Sequence, residues 1–400
     1  MFYLRLQIIR KDSFINMKTR TFILAITLMS TLVACNKPST NIELITIDVE
    51  SSYPEKELIL QDFVDVEYVP LETSDEFINK GWVKAVGKNI LAIVNGGADG
   101  DIFLHSRTTG KGIRKINRKG QGGEEYTQIT QMVLDEEQNE MFIVDYPRQK
   151  IMVYNLEGKF LRSFNFDENS YYSFVYPYDK NHLIVYKDYT GQPEKSCHAI
   201  ISKQDGKTVR EILLPYQELE NIRYSGIHEK YGEITAVPAH YLTIPASKDW
   251  YLASFSSDTI YRHLPDGSEH PYMVRTPSVN SMNPEVFLFP KIMTDRYDFL
   301  VSIKKKMEDN FSFPSTNLIY DKQEKSTYTY IIRNADFEGS NVALWESSLN
   351  PEIASYRILY AHELVEANEE GKLKGRLKEI ASTLDEEDNP VIMLMKQKDY

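Results

Sequence analysis

Short runs of alternating apolar and polar residues recur along most of this chain, and three pairs of them share one period. ILAIVN, MFIVDY and HLIVYK are each followed by a second run, DIFLHS, KIMVYN and CHAIIS, and each pair leads into a Gly-Lys turn at Gly110, Gly158 and Gly206. Those glycines stand 48 residues apart. Alternation at period two reads as half-buried strands, and Gly, Asp and Asn pairs between the runs supply hairpin turns. In the clearest copy four strands are predicted over 129–135, 140–145, 150–155 and 160–165, one antiparallel meander. Repetition of such a unit at about 40 to 50 residues marks the blade of a propeller. WYLASFSSDTIYRHLPDGSEHPYMV, with a turn at Gly267, is a looser fourth copy, and FLVSIKKK through NLIYDKQEKSTYTYIIR is a fifth.

The ends of the chain supply a sixth unit. ELITIDV and VEYVPLE near the start and PVIMLMKQ near the finish are strand-like, which predicts a closing blade that combines both termini. Leu373, Leu377, Ile380, Ala381 and Leu384 recur at helical spacing, with Pro390 beyond them, so one amphipathic helix interrupts the β pattern. The expectation is an all-β, six-bladed β-propeller of four-stranded antiparallel blades over 44–400, with one C-terminal amphipathic helix.

GKGIRKINRKGQGGEEY, MFIVDYPRQKIMVYNLEGKFLRSF and the terminal DEEDNPVIMLMKQK together resemble the six-bladed β-propeller lipoproteins of Bacteroides-type bacteria, whose pattern is NHL-repeat-like. The resemblance implies the fold and a place in the cell envelope. It implies no particular activity.

The start of the chain is read as an address. From Met17 the sequence MKTRTFILAITLMSTLVACNK has two basic residues, an apolar run and a cysteine, the pattern of an export signal. The apolar run falls short of the about 20 residues that span a bilayer. Leu32, Val33, Ala34 and Cys35 resemble the lipobox of bacterial lipoproteins, which implies cleavage before Cys35 and lipidation of its thiol. Residues 1–34 are therefore expected to be an upstream extension and signal peptide, and 35–43 a lipidated linker. Asn36 after the cysteine resembles cargo bound for the outer membrane, and with no acidic run following it the periplasmic side is expected. Membrane attachment through the lipid is the one partner that this reading names; a protein or glycan partner is expected without being identified.

Charge narrows the classes further. Net charge is −12, and Lys304, Lys305 and Lys306 are followed at once by Glu308 and Asp309, so no basic surface of the kind that binds nucleic acid is expected. Twenty-six Tyr and 18 Phe could offer rings to a sugar, but in runs such as TYTYII they are read first as strand formers and packing groups.

RKGQGGEEY, residues 118–126, has the glycines of a phosphate-binding loop. The strand pattern TQITQMVLD follows it where such a loop needs a helix and a Lys-Ser or Lys-Thr pair, so it is read as a turn between blades. In a meander the links between second and third strands share an end of the ring with the links between blades. The long segments 215–240, 276–297, 334–350 and 304–316 then all fall on one face, and loops on a rigid scaffold are where binding groups collect. Arg118, Lys119, Glu124, Glu125, Tyr126, Tyr146, Arg148 and Tyr189 are the candidate binding residues of that face.

No catalytic residue, metal ligand or cofactor is predicted. The eight histidines form no H-x-H or H-E-x-x-H, no paired cysteines exist beside them, and G-x-S-x-G is absent. His105 and His198 are read as packing residues in third strands, and Cys197 as a buried strand residue. The alternative is a lactonase-like or lyase-like enzyme with single residues from several blades meeting at the axis, which calls for three or more carboxylates or imidazoles there.

Overall fold

The computed structural model describes residues 44–96, 99–228, 232–344 and 348–398; the signal segment, Cys35 and the linker to 43 lie outside them. Six sheets form a β-propeller. Blade 1 is built from Trp82–Val86, Ile90–Val94, Asp101–Ser106 and Gly112–Asn117, and blade 2 from Gln131–Asp135, Glu140–Asp145, Lys150–Asn155 and Phe160–Asn165. Ser170–Pro177, His182–Tyr189, Cys197–Ser202 and Thr208–Ile212 make blade 3. Blade 4 follows with Thr243–Pro245, Trp250–Leu252, Thr259–His263 and Glu269–Thr276, and blade 5 with Val286–Met293, Tyr297–Lys304, Ser315–Asp321 and Ser326–Arg333.

The core lies in the seams between blades. In Glu140–Asp145, Met141 and Ile143 pack toward blade 1 while Phe142 and Val144 pack toward blade 3. All four are fully buried. The central strands are thus buried on both faces rather than half-buried, which is why runs such as MFIVDY are apolar almost throughout. Sheets stacked face to face have no solvent side except at their ends and outer edges.

Blade 6 joins the two ends of the chain, as expected from VEYVPLE and PVIMLMKQ: Val64–Pro70 pairs antiparallel with Val391–Gln397, Tyr68 opposite Met393. Its third strand is Ile353–Leu359, and among the described residues it has no fourth. This strand runs against the direction of the other innermost strands. The Asn350 side chain just before it donates to the carbonyl of Val86 at the end of blade 1's first strand, while Ile358 near its finish lies against Gly81, which precedes that strand. Arg107 fastens the seam from blade 1 by pairing with Glu67 and Glu352 at 3.0 and 2.9 Å.

One expectation needs correction. ELITIDV does not enter the closing blade: Ile45–Asp48 adds in parallel to the outer strand of blade 4, Ile45 opposite Met273. Glu55–Ile59 adds likewise to blade 5, Glu55 opposite Thr329. Both sheets therefore have five strands, and the N-terminal segment is a strap that covers two outer edges before reaching blade 6. The expected C-terminal helix is present, and a second helix precedes it. After the short α1 (Leu60–Phe63) come α2 (Ala361–Glu369) and α3 (Gly375–Ala381), inserted between two strands of blade 6. Leu364 and Ala367 from α2 and Leu377 and Ile380 from α3 cover one apolar cluster with Phe63, Phe299 and Met393.

Candidate functional site

Links between blades and links from second to third strands do collect at one end of the ring. The segment expected at 276–297 is shorter than read, because Val286–Met293 is blade 5's first strand. The link into blade 4 carries its own hairpin, Tyr224–His228 with Gly232–Ala236. Tyr224 meets Phe313 of the 305–314 link edge to face, ring centroids 6.3 Å apart.

Beneath these loops, on the ring axis, lies a pocket of about 650 Å³. Blade 1 gives it Trp82 and Lys84, blade 2 Thr130 and Gln131, blade 3 Phe174 and Tyr176, the link into blade 4 Tyr241, and the closing blade Ser348, Tyr356, Arg357 and Tyr360. This size lies in the usual range of small-molecule sites. The described lining residues include two cations and no carboxylate or histidine.

Bulges put several of these side chains near the axis. In blade 1 the pairing steps from Val83 to Ala85, leaving Lys84 as the extra residue. In blade 3 it steps from Ser173 to Tyr176, with Phe174 at φ 53°, and in the closing blade from Ile353 to Ser355. A bulged residue escapes the alternation of its strand and can face where a ladder residue would not. The Val175 amide exposed by the blade 3 bulge donates to Gln131 Oε1 at 2.8 Å, tying blade 3 to blade 2 and leaving the Gln131 amide nitrogen as a donor.

The cations are held differently. Lys84 Nζ donates to the carbonyl of Thr130 at 3.1 Å. Arg357 donates from Nη1 to the carbonyl of Asn341 at 3.0 Å, and no carboxylate of the described residues lies within ion-pair distance of it. Burial depresses its pKa, with Glu363 acting in the opposite sense. Trp82 and Tyr360 are 44% and 43% exposed, so two rings are open to solvent at the rim. Tyr241 also lines an adjoining pocket of about 750 Å³ under the loops, with Lys291, Phe311 and Asn341.

The residues singled out by sequence lie elsewhere. Tyr126 is fully buried; its hydroxyl donates to the carbonyl of Gly100 at 2.5 Å and accepts from the Arg118 amide at 3.0 Å. Arg118 Nε donates to Gly158 O, Arg148 Nη1 to the carbonyls of Gly122 and Glu125, and the Glu124 carbonyl accepts from the Tyr154 hydroxyl. Glu125 turns inward and accepts from the Gly122 amide at 2.8 Å. A Cβ on Gly120 would fall 1.9 Å from the Glu125 carboxylate. The loop's interior is filled by its own anion, and the run joins blade 1 to blade 2. Lys119 is exposed beside it, and Tyr146 packs on Tyr171 with centroids 4.7 Å apart.

Of the eight, Tyr189 alone lines a described pocket, a separate one of about 430 Å³ between blades 3 and 4. Cys197, His198 and His240 also border it. Burial pushes the Cys197 thiol up to about 11 and the His198 imidazole down to about 4, so neither is charged near neutral pH. His198 Nε2 lies 2.9 Å from the Leu242 carbonyl and His105 Nδ1 lies 2.9 Å from that of Gly110, as suits packing residues. No group of three or more His, Cys, Asp or Glu that could hold a metal ion occurs among the described residues.

Comparison with known proteins agrees with this architecture. A crystal structure of a Bacteroides fragilis protein described as exported matches with a TM-score of 0.58 at 14% identity, covering 89% of this chain and 100% of that one; the two share the fold. A member of the duf4221 family from Bacteroides vulgatus covers 84% of this chain and 98% of its own at 9% identity, with a TM-score of 0.44. Among curated proteins none is significantly similar in sequence. No helix among the described residues is long and apolar enough to cross a membrane. Residues 44–396 match the family described as "Domain of unknown function (DUF4934)", and the chain belongs to that family.

Proposed function

We propose that this protein is an exported, lipid-anchored binding module of the cell envelope, and that its ligand seat is the axial pocket at the loop-rich end of the propeller. One observation carries the assignment of the seat: four blades and the link into a fifth contribute side chains to one ligand-sized pocket with open aromatic rings and fixed cations. The export and lipid readings rest on MKTRTFILAITLMSTLVACNK and its cysteine. NHL-like repetition supplies the scaffold on which the loops vary.

Two measurements test this reading. Purified chain from residue 36 onward, applied to a saccharide and peptide array beside the double variant Trp82→Ala/Tyr360→Ala, is expected to retain a defined set of spots that the variant loses. Equal patterns for both proteins would refute the axial seat. In cells fed labelled fatty acid, the full chain is expected to take up label and sediment with membranes, and Cys35→Ala to do neither; label on the variant would refute lipidation at Cys35.

A further inference from the structure

We propose, resting on the axial pocket as the ligand seat, that its ligand carries an oxyanion on a sugar ring, a uronate carboxylate or a sugar sulfate, paired with Arg357 and flanked by the rings of Trp82 and Tyr360.

Donors dominate this pocket. The guanidinium of Arg357 has five N–H groups, of which the structure commits one nitrogen to the Asn341 carbonyl. Gln131 has its oxygen engaged by the Val175 amide, so its NH₂ faces a ligand as a donor. Ser348 is 1% exposed, and its hydroxyl has no partner among the described residues. A buried hydroxyl without a partner is costly, and a ligand acceptor recovers that cost. With Lys84 in the same wall and no described carboxylate or imidazole, the complement is rich in acceptors and negatively charged. Planar guanidinium suits the two oxygens of a carboxylate or sulfate.

The rest of the lining favours a ring with an apolar face and polar edges. Trp82 and Tyr360 leave rings open at the rim, while Gln131 and Ser348 sit on the walls. An acyl chain would leave the Gln131 and Ser348 donors unpaired. A nucleic-acid strand would meet the net charge of −12 before reaching the recessed cations, whereas a short acidic saccharide presents one oxyanion directly to Arg357.

The test is calorimetric titration of the chain from residue 36 onward with four probes: tetragalacturonate, its methyl ester, a sulfated galactose oligosaccharide and the neutral galactose tetramer. One or both acidic probes are expected to bind with unit stoichiometry, with the ester and the neutral tetramer about tenfold weaker or more. Binding of tetragalacturonate alone assigns the uronate, and binding of the sulfated probe alone the sulfate. Arg357→Gln should erase the preference for the acidic probe, so that the acid and its ester bind about equally. Ser348→Ala is the control for folding: it should melt no lower than the parent and bind the acidic probe more weakly. Failure of both acidic probes, or equal affinity for the neutral tetramer, overturns the inference. If array ligands of another class are then lost on Trp82→Ala/Tyr360→Ala, the seat stands and only its chemistry is wrong. Acidic binding unmoved by either the Arg357 or the rim variant would refute the seat itself.

Discussion

At the residue scale, burial sets much of the chemistry. His198 has its pKa lowered from 6.5 to about 4 by desolvation, and His105, His240 and His263 are lowered for the same first reason. Between those limits the unfolded chain binds a proton at position 198 that the native chain refuses, so stability falls as pH falls. The shift corresponds to roughly 3 kcal/mol lost between about pH 6.5 and 4. Melting temperatures from pH 7.5 to 4.5 should therefore drop less steeply in His198→Gln, whose amide can still donate to Leu242; an unchanged slope would remove His198 from the account. That His105 and His198 are packing groups was legible from their third-strand positions. The burial of Tyr126 was not, because a tyrosine in a Gly-rich loop looks the same in sequence whether its ring faces solvent or the seam. Gly110 was legible as a turn residue, at φ 72°, but not as a contact: a Cβ there would lie 1.7 Å from the carbonyl of Pro70 in the closing blade.

At the scale of elements, local period-two patterns marked the strands well: three of the four predicted for blade 2 have the observed bounds, and the first begins two residues later than expected. They could not show where pairing slips. Lys84, Lys291 and Phe174 reach the pockets through bulges, and a bulge breaks the very alternation used to find strands. Lys84 and Phe174 were missed for that reason, whereas Gln131 and Arg357 stand in regular register and only the ring's closure brings them together. Nor does a strand pattern name its partner, and so ELITIDV was placed in the wrong blade. The strap it belongs to buries Ile47 and Leu58. Deleting 44–59 should lower stability by about 3–6 kcal/mol, at about 1.5–3 kcal/mol per buried side chain. It should also promote self-association through the bared edges of blades 4 and 5, visible by light scattering. A monomer with the parent's melting temperature would show the strap to be dispensable.

At the scale of the molecule, closure explains both the stability of the ring and its opening. Strands from the N-terminal and C-terminal parts of the chain, Val64–Pro70 and Val391–Gln397, meet in blade 6, and the three-stranded form of that blade turns its first strand against the other innermost strands. Tyr356 and Arg357 on this strand thereby join residues from blades 1 to 3 around one pocket. The repeat announced six blades and a loop-rich face; the assembly of that pocket depends on which strand stands innermost where the ring closes, a property that no single repeat contains. The central claim is that ligand sits on the axis rather than on the outer loops. Hydrogen–deuterium exchange of the protein with and without an array-selected ligand tests it most directly. Protection is predicted at 82–84, 130–132, 174–176 and 356–360, with 118–126 and 146–148 unchanged. Protection confined to those outer loops would contradict it.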